Sequence, residues 1–509
     1  MFTRLNAITL LLGLGLGCRS YKDSKDTETG GDADTDADTD SDTDADSDTD
    51  SDADTDADTD TTDTDPTRTV CATSGVIDAG DASAVLNGQG DGEMGKSMAG
   101  DGDLDGDGLA DLFVGADRAN GRSGLVYLLY GSPVVPVGGD ASSASDAVFE
   151  GVGALGNELA FVGDMDGDGL GDIALGSSGA QGRGSVYLQY GSAVRLSGQV
   201  PVATLDVEIA GVTNGGATGM GLAGGDLDGD GYDDLAFVAP GYRDNNIMGA
   251  VYLLGGGAVR PTGVINEDVL PGIVGLSAQY DCIEMDDFDG DGLDDLAIAL
   301  RPVNTGAVHV LHGAPVAITG LSDVNDIPAY TVASLGGSQF GSQVATPGDL
   351  DGDGYNDLVI ADETSSVLGN IGGWVGVIAG SASPLVADTP AVWMVEFAGG
   401  GAFASLGTSV TGIGDADCDG TDDLGIGAVG ADGVYVYSGV AALYWGPMSG
   451  FLTLADADLR IDGDVGGELF GKDMTAGDRN GDGMPDVTIS APLFSGYTGR
   501  FHIFMDGFP

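Results

Sequence analysis

The sequence predicts an all-β fold: a seven-bladed β-propeller of four-stranded blades, preceded by a signal peptide and a disordered Asp/Thr-rich linker. Three observations predict it. A nine-residue acidic loop recurs seven times, starting at Asp103, Asp164, Asp226, Asp287, Asp349, Asp415 and Asp478, with steps of 61, 62, 61, 62, 66 and 63 residues. Residues 76–509 amount to 434, which is seven units of 62. Each unit holds short apolar runs bounded by Gly, with no helical periodicity, as expected of propeller blades.

The elements follow in chain order. Residues 1–17 read as an export signal: Arg4 supplies a basic start, and the apolar run Ile8–Leu16 is too short to span a bilayer. The run ends at Gly15-Leu16-Gly17-Cys18, which resembles a bacterial lipoprotein signal with Cys18 as the lipidated residue. An ordinary secretory signal is the alternative. Residues 18–70 form an acidic Asp/Thr/Ser/Ala stalk in which every even position from Asp32 to Asp60 is Asp. Such a tract cannot bury a core and repels itself. As a flexible coil it spans about 40 Å, and fully stretched roughly 170 Å. Residues 71–509 form the propeller.

Each unit repeats four signals. A header strand ends in Gly, as in Val148-Phe149-Glu150-Gly151; a short segment leads into the acidic loop; a buried strand follows; and a Gly-led strand closes the unit, as in Gly124-Leu125-Val126-Tyr127. No header follows the last Gly-led strand, near Arg500 to Phe504, while a spare one stands at the other end, Ser83 to Gly88. The N-terminal strand is therefore expected to pair onto the seventh blade and lock the ring.

The loop has the chemistry of a hard-cation site. Calcium takes six to eight oxygens, and acids at positions 1, 3 and 5 converge if the chain curls tightly at a Gly in position 6. Position 7 supplies a backbone carbonyl, so its side chain is expected to be free to vary, and position 9 closes the cage with a carboxylate. The predicted ligands are Asp103, Asp105, Asp107, Leu109 and Asp111 in the first loop, and Asp164, Asp166, Asp168, Leu170 and Asp172 in the second. The third has Asp226, Asp228, Asp230, Tyr232 and Asp234; the fourth Asp287, Asp289, Asp291, Leu293 and Asp295. The fifth has Asp349, Asp351, Asp353, Tyr355 and Asp357; the sixth Asp415, Asp417, Asp419, Thr421 and Asp423; the seventh Asp478, Asn480, Asp482, Met484 and Asp486. These are not EF-hands, because position 12 is Val114 or Leu175 where a bidentate Glu would be needed. Cys418 replaces Gly at position 4 of the sixth loop. Up to seven Ca²⁺ are expected.

Charge agrees with this reading. The formal net charge is −65, and 72 of the 82 acidic residues are Asp. Nucleic acid and anionic membrane surfaces are excluded as charge-driven partners. The loops hold 27 predicted Asp ligands, so seven Ca²⁺ would cancel fourteen charges and a calcium-dependent fold is expected.

No catalytic constellation is evident. His309 and His502 fall where other units have Tyr127, Tyr187 and Tyr252, and His312 falls where Tyr130 and Tyr190 sit, so all three read as strand-position variants. There is no Gly-x-Ser-x-Gly elbow, zinc-type His pair or Walker loop. After Cys18, the odd set Cys71, Cys282 and Cys418 allows at most one internal disulfide and does not choose the pair.

The order Phe-Gly, then Gly-Asp-x-Asp-Gly-Asp-Gly-x-x-Asp-Leu, then Gly-x-Val-Tyr resembles the FG-GAP repeat of integrin α-chain propellers. Phe340-Gly341 and Phe470-Gly471 keep the Phe-Gly pair; Met94-Gly95, Leu155-Gly156 and Leu406-Gly407 keep its character; the third and fourth units, near Met220 and Tyr280, depart from it. The resemblance implies calcium in hairpin loops on one face and a binding surface on the opposite one. The function expected is a calcium-stabilised, surface-anchored binding or adhesion module for an extracellular protein or glycan. It would be monomeric, non-enzymatic and held to a membrane only through Cys18, at the outer membrane or cell surface or else secreted. A calcium-dependent lectin is the alternative, and an extracellular hydrolase a third reading.

Overall fold

The computed structural model describes residues 74–505 except 91, 137, 245–246, 275–278, 302–305, 316–320, 324–328, 334–338, 367–371, 383–392 and 400–402. The export signal with Cys18, the acidic stalk and Cys71 lie outside the described residues. Seven sheets follow one another along the chain. The first blade shows the pattern. Its inner strand β3 (Met98–Gly102) pairs antiparallel with β4 (Asp111–Ala116), β4 with β5 (Leu125–Leu129), and β5 with β7 (Ala147–Glu150). The inner strands of successive blades touch all the way round, including β3 against Met474–Gly477 of blade 7, so the seven sheets close a ring.

The second strand of each blade is largely apolar because it is covered on both faces. In β4, Leu112, Phe113 and Val114 are all fully buried. Blade packs on blade, and each of seven cores lies between two neighbours: Phe113, Leu128 and Phe149 of blade 1 meet Leu159, Ile173 and Tyr187 of blade 2. Alternation survives only toward the outer edge, as in the outer strand β7, where Ala147 and Phe149 are buried and Glu150 is exposed.

Two features correct the expected blade. Each header belongs to the preceding unit, since β7 pairs with β5. Six of the seven sheets also carry a fifth strand, parallel to the fourth and lent by the next unit, as Gly198–Pro201 is to β7; the fourth sheet has four strands among the described residues. The loan covers an outer edge whose backbone groups would otherwise be open to pairing.

The same rule explains closure. β1 (Gly75–Asp78) is the parallel fifth strand of blade 6, against Leu459–Asp462. β2 (Ala84–Asn87) is the fourth strand of blade 7, antiparallel to Arg500–Phe504 with Leu86 opposite Phe501. The two-residue β6 (Gly139–Asp140) then adds in parallel to β2. β1 and β2 thus supply outer strands to blades 6 and 7.

The Phe-Gly pair locks neighbours together. Its first residue bridges the Gly that leads the third strand of the preceding blade: Gly124 to Leu155, Gly373 to Leu406, Gly439 to Phe470 and, across the seam, Met94 to Gly499. A Cβ on Gly124 would stand 2.3 Å from the Leu155 backbone, so only Gly allows this approach. In the third unit the bridge runs from Gly184 to Thr218. The pair there is Thr218-Gly219, so that unit does not lack it.

Candidate metal centres

Each acidic loop joins the inner strand to the second strand, so all seven emerge at one end of the ring. The position-1 carboxylate organises the loop from within. One oxygen accepts the N–H of position 6 in every copy, at 2.7–3.0 Å. The other accepts the N–H of position 4 at 2.7 Å in all copies but the sixth, where it takes that of Asp419 at 2.9 Å. This winding needs left-handed backbone at both positions 4 and 6. Cys418 adopts it at φ 63° without being Gly.

Position 9 braces the loop against its blade. Asp111 accepts from Leu104 N–H and Gly131 N–H, both at 2.8 Å. Asp172, Asp357 and Asp423 repeat both bonds with their counterparts. The winding turns carboxylates toward each other: ligand oxygens of Asp103, Asp105 and Asp111 lie within 4.8 Å of one another, as do those of Asp164, Asp166 and Asp168, of Asp226, Asp228 and Asp230, and of Asp287, Asp289 and Asp291.

These carboxylates carry unmet charge. Burial pushes Asp111, Asp172, Asp234 and Asp423 up to about 7 and Asp357 up to about 8, with the neighbouring loop acids adding to the rise. Asp228 Oδ1 and Asp295 Oδ2 are buried without a hydrogen-bond donor among the described residues. A buried carboxylate with raised pKa and an idle lone pair calls for a cation or a proton. An oxygen-rich cage of this kind fits calcium, with Asp or Asn at positions 1, 3, 5 and 9 able to supply side-chain oxygens.

The loops are also chained to one another, which sequence reading missed. The position-8 N–H donates to the position-1 carbonyl of the preceding loop: Ala110 to Asp478, Gly171 to Asp103, Asp233 to Asp164, Asp294 to Asp226 and Asp422 to Asp349, at 2.8–3.2 Å. Where position 8 is Asp, its carboxylate returns a bond, Asp233 to Asp164 N–H, Asp294 to Asp226 N–H and Asp422 to Asp349 N–H. At position 8 of the seventh loop stands Pro485, which has no N–H to give.

The position-7 side chain is not free, which corrects the expectation from sequence. Leu170 covers Gly106, Tyr232 covers Gly167, Leu293 covers Gly229, Tyr355 covers Gly290 and Leu109 covers Gly481; a Cβ at each of these glycines would lie 2.4–2.8 Å from the covering side chain. Thr421 sits over Gly352 more loosely, at 3.1 Å. At the one non-Gly position 4, the Cys418 Sγ meets the Met484 Sδ at 3.6 Å. Varied residues at position 7 are thus varied lids.

Two loops already face a cation of the protein's own. The Arg195 guanidinium pairs with Asp105 and Asp107 while lying 4.7 Å over the Tyr130 ring. Arg260 repeats this on Asp166 and Asp168, 5.0 Å over Tyr190. Neither arginine stands out in the sequence, because each reaches a loop from the next blade.

The other end of the ring carries a different surface. The segment Gly433-Val434-Tyr435-Val436-Tyr437 is spelled like a Gly-led strand, yet the strand is Val440–Tyr444 and the segment is an exposed turn. Val434, Tyr435, Val436 and Tyr437 are 49–66 % exposed, and Phe403 and Tyr497 on flanking loops are 46 % and 51 % exposed. These loops are tied in sequence by Gly430 N–H to Ala404 O, Gly467 N–H to Tyr437 O and Leu493 N–H to Glu468 O. Tyr437 and Tyr497 hold φ of 55° and 79°, a costly backbone state for aromatic residues.

The histidines are accounted for separately. His502 is buried with Nδ1 2.9 Å from Ala79 O, and burial pushes it down to about 3. His309 lies 2.8 Å from Thr331 Oγ1, with its pKa lowered by burial. His312 faces the fourth acidic loop.

Parts of the chain are similar to known proteins. Residues 94–129, 155–188 and 218–254, which run from the Phe-Gly position to the third strand in blades 1, 2 and 3, match the FG-GAP repeat family. The chain is similar to integrin alpha-PS2 of Drosophila melanogaster, 36% identical over 150 residues that are 27% of this chain and 11% of that one. It is similar to integrin alpha-IIb of Homo sapiens, 35% identical over 164 residues, 30% of this chain and 15% of that one. It is also similar to phosphatidylinositol-glycan-specific phospholipase D of Rattus norvegicus, 34% identical over 168 residues, 30% of this chain and 19% of that one. The chain therefore spans less than a fifth of the length of each of these relatives.

Proposed function

Because the chain is an integrin α-like FG-GAP β-propeller, we propose that it is a calcium-stabilised binding module that meets an extracellular macromolecule, a protein before a glycan. The observation that carries this reading is the exposed aromatic loop Tyr435–Tyr437 with Phe403 and Tyr497, on the face away from the metal loops. Exposed tyrosines and valines clustered on braced loops cost solubility and backbone strain, and they are the residue types that anchor protein interfaces. The acidic loops serve the ring: calcium held by the predicted Asp, Asn and carbonyl ligands would neutralise them and stiffen one end, leaving the other end to bind.

Two further parts complete the proposal. Residues 18–70 act as an extended stalk, and lipidation at Cys18 holds it to an outer or cell-surface membrane. No enzymatic role is proposed, since the likeness to the phospholipase covers 19% of that protein and no nucleophile is assembled among the described residues.

The experiment uses surface plasmon resonance against purified extracellular matrix proteins, with a glycan array in parallel, each in calcium and in chelator. Binding to a protein that is lost in the Tyr435→Ser, Tyr437→Ser double variant at unchanged melting temperature supports the reading. Calcium-dependent glycan binding that survives the double variant would replace it with the lectin reading.

A further inference from the structure

The fourth acidic loop faces a side chain that the other described loops do not have. His312 follows the strand Ala307–Leu311, and Gly313 N–H donates to Asp295 Oδ1 at 2.8 Å, which fixes the residue over its own loop. The same hydrogen bond places Tyr130, Tyr190, Gly255, Ala379 and Trp445 at the equivalent position in blades 1, 2, 3, 5 and 6. None of those offers a nitrogen lone pair.

His312 Nδ1 lies 3.4 Å from Asp289 Oδ2 and 3.3 Å from Asp295 Oδ1, and the three groups can bring one ligand atom each within 4.8 Å of the others. The Asp295 side chain is 1 % exposed and its Oδ2 has no donor among the described residues, while His312 keeps 25 % of its side chain open to solvent. The Asp295 side of the group is therefore buried, and so is the imidazole Nε2, while other atoms of the His312 side chain reach solvent. Phe288, Leu358 and Ile378 line the small adjoining cleft beside Asp289 and His312.

The spacing is informative. An imidazolium–carboxylate ion pair closes to about 2.7–2.9 Å. Ligand atoms about 2.0–2.1 Å from a tetrahedral zinc ion stand roughly 3.4 Å apart. The two His312 separations are compatible with the second figure, and the shorter one serves as a hydrogen bond to Asp295 in the metal-free chain. Calcium prefers an all-oxygen shell, whereas imidazole combined with carboxylate suits divalent first-row transition ions.

We propose that His312, Asp289 and Asp295 form a site for a divalent transition cation of the zinc type, built into the fourth acidic loop and filled in preference to calcium there. The inference rests on the reading of the loops as metal sites, and it sets one loop apart from the calcium loops.

The test titrates the full chain, saturated with calcium, with Co²⁺ as a visible probe, and measures bound metal by mass spectrometry. One equivalent of Co²⁺ with the intense visible bands of a low-coordinate nitrogen-ligated ion, displaced by Zn²⁺, is expected. His312→Tyr installs the residue that blades 1 and 2 carry at this position, so the blade has a precedent for it. It should weaken Co²⁺ binding at least tenfold and leave calcium at the other loops unchanged. His312→Ala should do the same, which guards against a tyrosine hydroxyl acting as a substitute ligand. Absence of the bands in the wild type, or their persistence in both variants, overturns the inference. If calcium still binds in that case, the calcium reading stands; if no metal binds, both readings fall.

Discussion

The carboxylate of Asp233, at position 8 of the third loop, accepts the backbone N–H of Asp164, the first residue of the second loop, at 2.7 Å. The Asp233 N–H donates back to the Asp164 carbonyl at 3.2 Å. A residue of one blade thus shapes the acidic loop of its neighbour, and five of the seven loops are tied in this way to the loop before them.

Asp233→Ala should therefore injure a loop it does not belong to. A hydrogen bond from a charged group contributes about 1.5–3 kcal/mol. The variant should lose roughly that much stability in denaturant melts and show weaker calcium binding at the second loop. Asp268→Ala, at an exposed position outside the loops, is the control. Equal melts for the two variants would refute the linkage.

Removing calcium should loosen every blade together. Chelation is expected to lower the melting temperature by more than about 10 °C, because each cage then keeps several like charges close together in a poorly solvated setting. Scanning calorimetry with and without chelator checks this, and magnesium, which resists dehydration, should restore little of the loss.

The pH dependence should reverse with the metal. In the metal-free chain, Asp111, Asp172, Asp234 and Asp423 sit at about 7 and Asp357 at about 8, raised by burial above the ordinary value they regain on unfolding. Between those limits the folded chain holds more protons than the unfolded one. Metal-free stability should then rise as pH falls from about 8 to about 5 and decline as pH rises through the folded values. With saturating calcium, the ion holds the same carboxylates ionised, so acidification should release it and lower stability. Urea midpoints across this range, with and without calcium, test both slopes.

The arginines should tune two loops. Arg195→Ala and Arg260→Ala each remove a positive charge paired to positions 3 and 5 of a loop. Calcium affinity at the first and second loops should rise several-fold, and the gain should shrink at high salt. Calorimetric titration of each variant reads this directly; a fall in affinity would show that the arginines position the ligands instead.

Closure should depend on β2. Leu86 is fully buried opposite Phe501 in the core between blades 7 and 1. Leu86→Ala should cost about 2–5 kcal/mol. Limited proteolysis should then cut first near the seam between blade 7 and blade 1, whereas random cutting would argue against the seam as the weak point.

The sequence by itself determined the number of blades, the recurring acidic loops, the largely apolar second strands and the spare strand that becomes β2. All of these are local or periodic: a tight acidic turn needs its Gly and Asp at fixed offsets, and a strand covered on both faces must be mostly apolar. Only the tertiary structure decided what crosses from one blade to the next. The borrowed fifth strands, the lids over position 4, the Asp233–Asp164 bond and the reach of Arg195 and Arg260 join residues about 50 to 95 positions apart, or several hundred across the seam, so no short window of sequence contains both partners. Gly433 to Tyr437 is spelled like the Gly-led strands, yet the strand is Val440–Tyr444 and the segment lies exposed at the end of the ring away from the acidic loops. His312 reads as a strand variant, and only folding brings it against Asp289 and Asp295. Packing between blades is a property of the closed ring, and it decides which of several equivalent-looking residues faces a metal loop, a core or solvent.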